Sequence, residues 1–455
     1  LMVLNPLKKG LTRIRMYRQK DVFGKYKTLH QQQWLAPEEY EQYVHAKMSA
    51  LLKHACKHVP FYRDNIGVNE LIHHNVIDWP RFMQIPLLTK EIIREHYGQL
   101  ISEDIQERKW FEETSGGSTG EPIRFIQDED TMSWMLSLKL LYDQWTGRVP
   151  GDRQIRLWGS MRDLLIGKET MRTYVGRWMR NERWINAYRM DKERVKMAVH
   201  SINEYKPKQI LAYVESIYEL AQYIEHHQVS IHHPHSIMTT AGVLFPHMRQ
   251  TIEDVFQTKV YNRYGSREVG DIACECEQHK GLHVSGLTHY VEVLREDGTP
   301  AAPHEVGEIV VTPLCNFSMP LIRYRIGDLG VWSDESCTCG RPFKLLKEVT
   351  GRICDTFINA NGTKIQGTYF SQLFFYQDWV KQYQIIQETV ERVKVFVVLK
   401  HPEVGLSGYE AEIQMIDDQF KAVLGEGCDI TYEHVEAISP QASGKYRYLI
   451  SHVMA

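Results

Sequence analysis

The chain has 455 residues, more than one hydrophobic core usually supports, so two domains, or one large and one small, are expected. Its 54 Lys and Arg against 57 Asp and Glu leave a formal net charge of -3, which excludes bulk electrostatic attraction to nucleic acid or an anionic membrane; any polyanion must be met locally. No apolar run approaches the roughly 20 residues of a membrane span, and Leu1–Lys9 lacks an extended apolar signal core, so a cytoplasmic location is expected.

The basic N-terminal segment (Lys8, Lys9, Arg13, Arg15, Arg18, Lys20) reads as a solvated charged face, with docking on an acidic partner or a membrane surface as the alternative. From Pro37 to Ala55 apolar residues recur at helical spacing, and the helix is expected to stop at His58-Val59-Pro60. Then comes Glu113-Thr-Ser-Gly-Gly-Ser-Thr-Gly-Glu-Pro122, which has almost nothing to bury. Gly116, Gly117 and Gly120 permit positive φ and close backbone approach, and Thr114, Ser115, Ser118 and Thr119 add hydroxyl donors, so the loop is suited to holding an oxyanion. It lacks the Gly-Lys-Ser/Thr ending of a Walker loop. Ser118 also completes a G-x-S-x-G pattern, but a nucleophile elbow needs a buried strand before it and a helix after it. Gln106–Glu113 is too charged for the first, and Pro122–Ile126 alternates like a half-exposed strand. These flanks predict a hairpin with a glycine-rich tip; the plainer alternative is a Gly/Ser linker.

From Asp152 to Phe256 short apolar runs alternate with helical segments: Arg153–Trp158 and Gln209–Tyr213 as strands, Ser216–His226 as helix, and Ile237–Gly242 as a strand running into a small-residue turn. This alternation predicts an α/β layer with a largely parallel sheet, whose ligand crevice lies beyond the carboxyl ends of the strands. Trp145, Trp158, Tyr213 and Phe245 are large enough to line an acyl pocket, although such residues near sheet ends are more often core. Val260–Val269 ends a short apolar segment with an aromatic, a glycine turn and a carboxylate, Glu268. Gly307–Thr312 is a further strand, and Met319–Leu329 places Asp328 after a glycine turn, where a carboxylate can accept both hydroxyls of a ribose.

The ordered series Thr114-Ser-Gly-Gly-Ser-Thr-Gly-Glu-Pro122, Tyr264-Gly-Ser-Arg-Glu268, Tyr324-Arg-Ile-Gly-Asp328, Gly351-Arg352 and Ser443-Gly-Lys445 resembles the core motifs of the adenylate-forming superfamily. Gly281-Leu-His283 and Met319-Pro-Leu-Ile-Arg-Tyr-Arg325 are similar to its phenylacetate-CoA ligase and capsular-polysaccharide-biosynthesis branch. The resemblance implies an α/β, adenylate-forming enzyme fold: a large multi-layer N-terminal domain, residues 1–352, and a small mobile α+β lid, residues 353–455. It implies attack of a carboxylate on the α-phosphate of ATP, giving an acyl-adenylate and pyrophosphate, then transfer to CoA or an amine. The glycine-rich loop would hold the β- and γ-phosphates and Glu268 would hold Mg²⁺. Tyr264 would pack on adenine and Asp328 would bind the ribose, with Gly265 and Ser266 among the nucleotide-binding residues and Arg352 among the catalytic ones. Lys445, on the lid, would place a compact ammonium charge at the pentavalent transition state. Surface-polysaccharide modification would be a setting for such an activity.

Three positions depart from the superfamily pattern: Glu121 where Gly-Lys-Pro is usual, Cys354 where the hinge usually has aspartate (Asp355 being a substitute), and Val243 where a Gly-Glu pair is common. Eight cysteines in a chain expected to be cytoplasmic argue against disulfides, yet four fall in two tight pairs, Cys274/Cys276 and Cys337/Cys339, with His279 and His283 beside the first. Thiolates and imidazole suit tetrahedral zinc. The resemblance selects Cys276, His283, Cys337 and Cys339, with Cys274 and His279 in reserve, as a closed structural site that clamps Tyr264–Glu268 against the strands leading to the hinge. The rival readings are a non-catalytic, metal-stabilised binding protein of the same fold and a serine hydrolase using Ser118. The carboxylate, the choice of CoA, amine or sugar as acceptor, and the oligomeric state are not legible, and peripheral membrane association stays open.

Overall fold

The structure, a computed structural model, describes residues 21–65, 71–73, 76–115, 123–158, 171–186, 192–352, 356–366, 370, 373–374, 377–438 and 447–453. The chain forms two compact units, residues 1–349 and 350–455.

The first unit opens with α1 (Val22–Gln32) and α2 (Pro37–His58). Pro37 occupies the first turn of α2, where its missing N–H costs nothing, and Glu38 and Glu39 favour the positive helix end. The hairpin β1 (Trp110–Thr114) and β2 (Arg124–Asp128) follows, paired antiparallel with Thr114 opposite Arg124. Asp128 then caps α3 (Glu129–Trp145), accepting from Thr131 N–H at 2.7 Å.

The central sheet gathers β3 (Gln154–Leu157), β4 (Glu182–Ile185), β5 (Gln209–Tyr213), β6 (Ser236–Thr240), β7 (Val260–Ser266), β8 (Gly270–Glu275), β9 (Leu282–Val284), β10 (His289–Leu294), β11 (Val306–Pro313), β12 (Tyr324–Trp332) and β13 (Leu345–Arg352). Its eleven strands lie in the order β10-β11-β12-β13-β9-β8-β7-β6-β5-β3-β4. β3 to β7 pair parallel, and β7 turns back through β8 into an antiparallel region. The crossovers include α4 (Lys192–Tyr205), α5 (Val214–His227) and α6 (Pro246–Phe256).

Both faces of the parallel region are covered, which explains why these strands read as continuous apolar runs. Ile155, Ile210, Ile237 and Val260 pack with Leu220, Ile224, Ile252 and Phe256 in one cluster. Leu211, Met238 and Cys274 pack with Leu138, Leu141, Tyr142 and Trp145 of α3 in another. On the antiparallel side, Met48, Leu51, Leu52 and Ala55 of α2 share a core with Ile309, Val311 and Tyr324.

The second unit has a four-stranded sheet built around β14 (Val380–Thr389) and β15 (Arg392–Leu399), flanked by β16 (Asp429–His434) beside β15 and β17 (Leu449–Ser451) beside β14. Helix α7 (Glu410–Leu424) lays Ile416, Phe420 and Leu424 over Ile385, Val393 and Val395. Among the described residues no helix is long and apolar enough to cross a membrane.

Candidate nucleotide and metal sites

The base of the glycine-rich loop is held by its own first residues. Ser115 N–H donates to Ile123 O at 2.9 Å, and Ile123 N–H donates back to Ser115 Oγ at 2.9 Å, so the hydroxyl closes the hairpin beyond its last strand pair. Gly116, Gly117, Ser118, Thr119, Gly120 and Glu121 lie outside the described residues. The hairpin is braced from behind by the segment leading into β12: Asn316 Nδ2 donates to Ile126 O at 3.0 Å.

The end of β7 meets this hairpin. Arg267 Nη1 reaches Thr114 O at 3.4 Å, and Gln127 Nε2 reaches the carbonyls of Arg267 and Glu268 at 3.4 and 3.3 Å. Glu268 is buried, with no ion pair to its carboxylate among the described residues. A buried carboxylate without a cation is costly, so this position is suited to receiving one. Ser266 Oγ is likewise buried with no hydrogen-bond partner among the described residues.

Gly265 is required by a close approach. A Cβ there would lie 2.3 Å from Gly270 O and 2.8 Å from Asp271 Cα, both main-chain atoms of the neighbouring strand. Gly265→Ala should therefore push β7 from β8 at a cost of about 1–3 kcal/mol. Chemical denaturation tests this, and a variant of unchanged stability would show that the strands yield freely.

Tyr264 O–H donates to Asp328 Oδ2 at 2.8 Å, joining two motifs 64 residues apart. The sequence placed Asp328 after a glycine turn; the structure corrects this, since it lies inside β12. Glu308 pairs with Leu329 but Val310 pairs with Arg325, so β12 carries extra residues in a bulge at which Gly327 has φ 85°. A bulge re-aims side chains without ending the strand, and this one contains Asp328. In the same stretch Arg323 is structural: buried, it pairs with Glu292 at 3.0 Å and donates to Ile85 O at 2.6 Å.

Around the strand ends, Trp158 packs on Tyr213 with ring centroids 4.6 Å apart, and Phe245 stacks near His247 at 6.1 Å. Gly242 faces Glu215, whose Oε1 would be 2.5 Å from an added Cβ. A carboxylate thus stands at this turn although position 243 is valine. Trp145 lies elsewhere, beside the cysteine cluster.

That cluster unites Cys276, His283, Cys337 and Cys339, whose ligating atoms all lie within 4.8 Å of one another. His283 Nε2 is 3.2 Å from Cys276 Sγ and 3.5 Å from Cys339 Sγ, and Cys276 Sγ is 3.6 Å from Cys337 Sγ. A tetrahedron with Zn–S arms of about 2.3 Å and a Zn–N arm of about 2.0–2.1 Å has edges of about 3.5–3.8 Å, so the donor spacing fits the ion. Burial, then the Arg341 guanidinium, lowers the His283 pKa to about 4, which leaves the neutral imidazole that ligates metal. The reserves stand apart: Cys274 is buried against α3, and His279 Nδ1 turns to Glu275 at 3.4 Å.

Around the cluster is a shell that sequence reasoning missed. Arg341 Nε and Trp145 Nε1 both donate to Gln33 Oε1, at 3.0 and 2.8 Å, and Arg341 packs over Trp145 and Trp34 at 4.4 and 4.7 Å. The only sequence signal was Arg341 closing the Cys-Thr-Cys-Gly-Arg string. The side chain of Arg352 and all of Lys445, Cys354 and Asp355 lie outside the described residues.

The model of the CapK C-terminal domain matches residues 357–452. Protein CapK of Staphylococcus aureus is 24% identical over 405 residues, 87% of this chain and 86% of that one. A phenylacetate-coenzyme A ligase of Thermus thermophilus is 24% identical over 400 residues, 83% of this chain and 86% of that one. Among solved structures, 2-hydroxyisobutyryl-CoA ligase in the postadenylation state with 2-HIB-AMP superposes with a TM-score of 0.70 at 17% identity, covering 90% of this chain and 88% of that one. The amide bond synthetase McbA of Marinactinospora thermotolerans gives 0.51 at 15% identity, covering 71% and 65%.

Proposed function

We propose that this chain, an adenylate-forming fold related to phenylacetate-CoA ligase and CapK, activates a carboxylate with ATP and passes the acyl group to CoA or an amine. The observation that carries the proposal is the convergence of three motifs: Asp328 meets Tyr264, and the Arg267–Glu268 segment that continues from it meets the base of the glycine-rich loop. In the first step a carboxylate oxygen attacks the α-phosphorus, the bond to the bridging oxygen breaks, and pyrophosphate leaves. In the second, a thiol or amine attacks the acyl carbon and AMP departs.

The crevice supplies positioning and charge, which dominate transfer at phosphorus. Asp328, oriented by Tyr264, accepts from ribose hydroxyls while the tyrosine ring borders adenine. Ser266 Oγ and the loop of residues 114–120 donate to phosphate oxygens. The buried Glu268 carboxylate suits Mg²⁺, a hard cation that takes few protein oxygens, and Lys445 supplies the transition-state charge. Cys276, His283, Cys337 and Cys339 would hold zinc in a closed four-ligand site that contributes folding energy. The relation to CapK supports an acyl or sugar carboxylate used in surface-polysaccharide modification.

Pyrophosphate release from ATP, screened over aliphatic, aromatic and sugar carboxylates, tests the proposal and identifies the substrate. Binding of ATP with no release for any carboxylate would favour a non-catalytic binding protein, and ester hydrolysis without ATP would favour Ser118 as a nucleophile. Within the screen, Glu268→Gln should raise the half-saturating Mg²⁺ concentration and lower the maximal rate, because the amide keeps the shape but loses the charge. If neither moves on titrating metal, Glu268 is structural.

A further inference from the structure

We infer that the chain carries a second anion site, for a small molecule bearing a diphosphate or two phosphoesters, at the amino ends of β3, β5 and β6. A cavity of about 330 Å³ opens there, lined by the residues that lead into these three parallel strands. Arg153 immediately precedes β3, Lys206 and Lys208 precede β5, and His232, His233 and His235 precede β6. The residues proposed for the nucleotide begin at the other end of the parallel strands, with Tyr264 and Ser266 at the carboxyl end of β7, so this cavity is distinct from them.

The lining contains three fixed cations and one carboxylate, Asp152. Lys208 Nζ engages that carboxylate at 3.1 Å, while Arg153 and Lys206 have no ion pair among the described residues. Arg153 is aimed by one bond, Nη1 to Tyr205 O at 2.6 Å, which leaves other donors of its guanidinium for a ligand. The excess of positive charge in a concave site selects a multiply charged anion, and the volume sits at the lower end of small-molecule sites.

The walls are fixed rather than loose. Lys208 N–H donates to Arg153 O and His235 N–H donates to Lys208 O, both at 2.8 Å, lacing the three segments together. His232 Nε2 lies 3.0 Å from Pro207 O and His233 Nδ1 lies 2.9 Å from Phe256 O, so each ring is held by one nitrogen. Three histidines also suggest a metal, but among the described residues only the Cys276 cluster brings three or more ligating atoms together. The chemistry is therefore that of cations around an anion.

Hydrogen exchange of the full chain with millimolar pyrophosphate tests the inference, because it reports position as well as binding. Residues 206–208 and 232–236 should exchange several-fold more slowly, and chloride at matched ionic strength should not reproduce the effect. Lys206→Glu/Lys208→Glu should raise the half-saturating pyrophosphate concentration at this site about tenfold or more and leave protection in the nucleotide crevice unchanged. Lys206→Ser, which preserves the Lys208–Asp152 pair, replaces the double variant if that one melts early. Absence of protection at these segments, equal protection by chloride, or protection only by a long polyanion such as heparin would each overturn the site. The result is independent of adenylation, since a chain that never released pyrophosphate would give the same exchange pattern.

Discussion

Lys445→Ala is expected to lower carboxylate-dependent pyrophosphate release by about 10²-fold or more, the scale of losing one preorganised charge at a transition state. ATP affinity should change little, because Tyr264, Asp328 and the hairpin that carries the glycine-rich loop all belong to the unit of residues 1–349, whereas Lys445 belongs to residues 350–455. Loss of rate without loss of binding is the signature of an interaction made only in the transition state. Lys445→Arg should restore little, since a planar guanidinium does not replace a compact ammonium at a crowded phosphorus. Rates from pyrophosphate release and ATP affinity from calorimetry separate the two effects. A Lys445→Ala enzyme with undiminished release would remove Lys445 from the mechanism, and one that no longer bound ATP would reassign it to the nucleotide site.

What could be read before the structure depended on how local each signal was. The hairpin was legible because the charged flank before the loop excludes a nucleophile elbow, and β1 and β2 pair through Trp110–Thr114 and Arg124–Asp128; the expected half-exposed alternation is corrected, since β2 is buried from Phe125 to Asp128. The parallel strands were legible because burial on both faces leaves continuous apolar runs, as in β5, where every residue is buried. Asp328 was placed wrongly because a glycine signals a turn and a bulge alike, and only the partner strand distinguishes them. No local pattern marks Arg267, Gln127, Gln33 or Glu215. Their partners are remote in sequence, 153 residues for Arg267 to Thr114 and 308 for Arg341 to Gln33, so no spacing rule reaches them. Trp145 is large enough to line a pocket, yet its indole N–H is bonded to Gln33 Oε1 and its ring lies 5.7 Å from His283. The choice between Cys274 and Cys276 also depends on the fold. Cys274 is within β8 and packs against α3, whereas Cys276 follows the last residue of that strand, where the chain is free to turn toward Cys337.

The purified protein should contain about one zinc per chain, and Cys337→Ser/Cys339→Ser should lose both the metal and a large part of the stability of the first unit. Cys276 and Cys337 are 61 residues apart; tying a loop of that size restricts the unfolded chain by about 4 kcal/mol on the chain-entropy account. A closed zinc site acts in the same sense, because its ligands are scattered in the unfolded chain and converge only on folding. The consequences should spread from the ligands to their neighbours. Without metal, Cys276 would be a buried thiol, its pKa pushed up first by desolvation, and His283 a buried imidazole whose Nδ1 has no partner among the described residues. Arg341 follows Cys339 by two residues, so its hold on Gln33 and its packing over Trp145 would loosen, and α1 with them. Metal analysis, thermal unfolding and tryptophan emission follow these three stages in order. A structural site, with every ligand position filled by protein, also predicts that, with Mg²⁺ kept in excess, pyrophosphate release per folded molecule is unchanged by a zinc-selective chelator that does not unfold the chain. Zinc-free protein of undiminished stability would refute the site, and catalysis lost to the zinc-selective chelator at saturating Mg²⁺ without unfolding would make the zinc part of the chemistry instead.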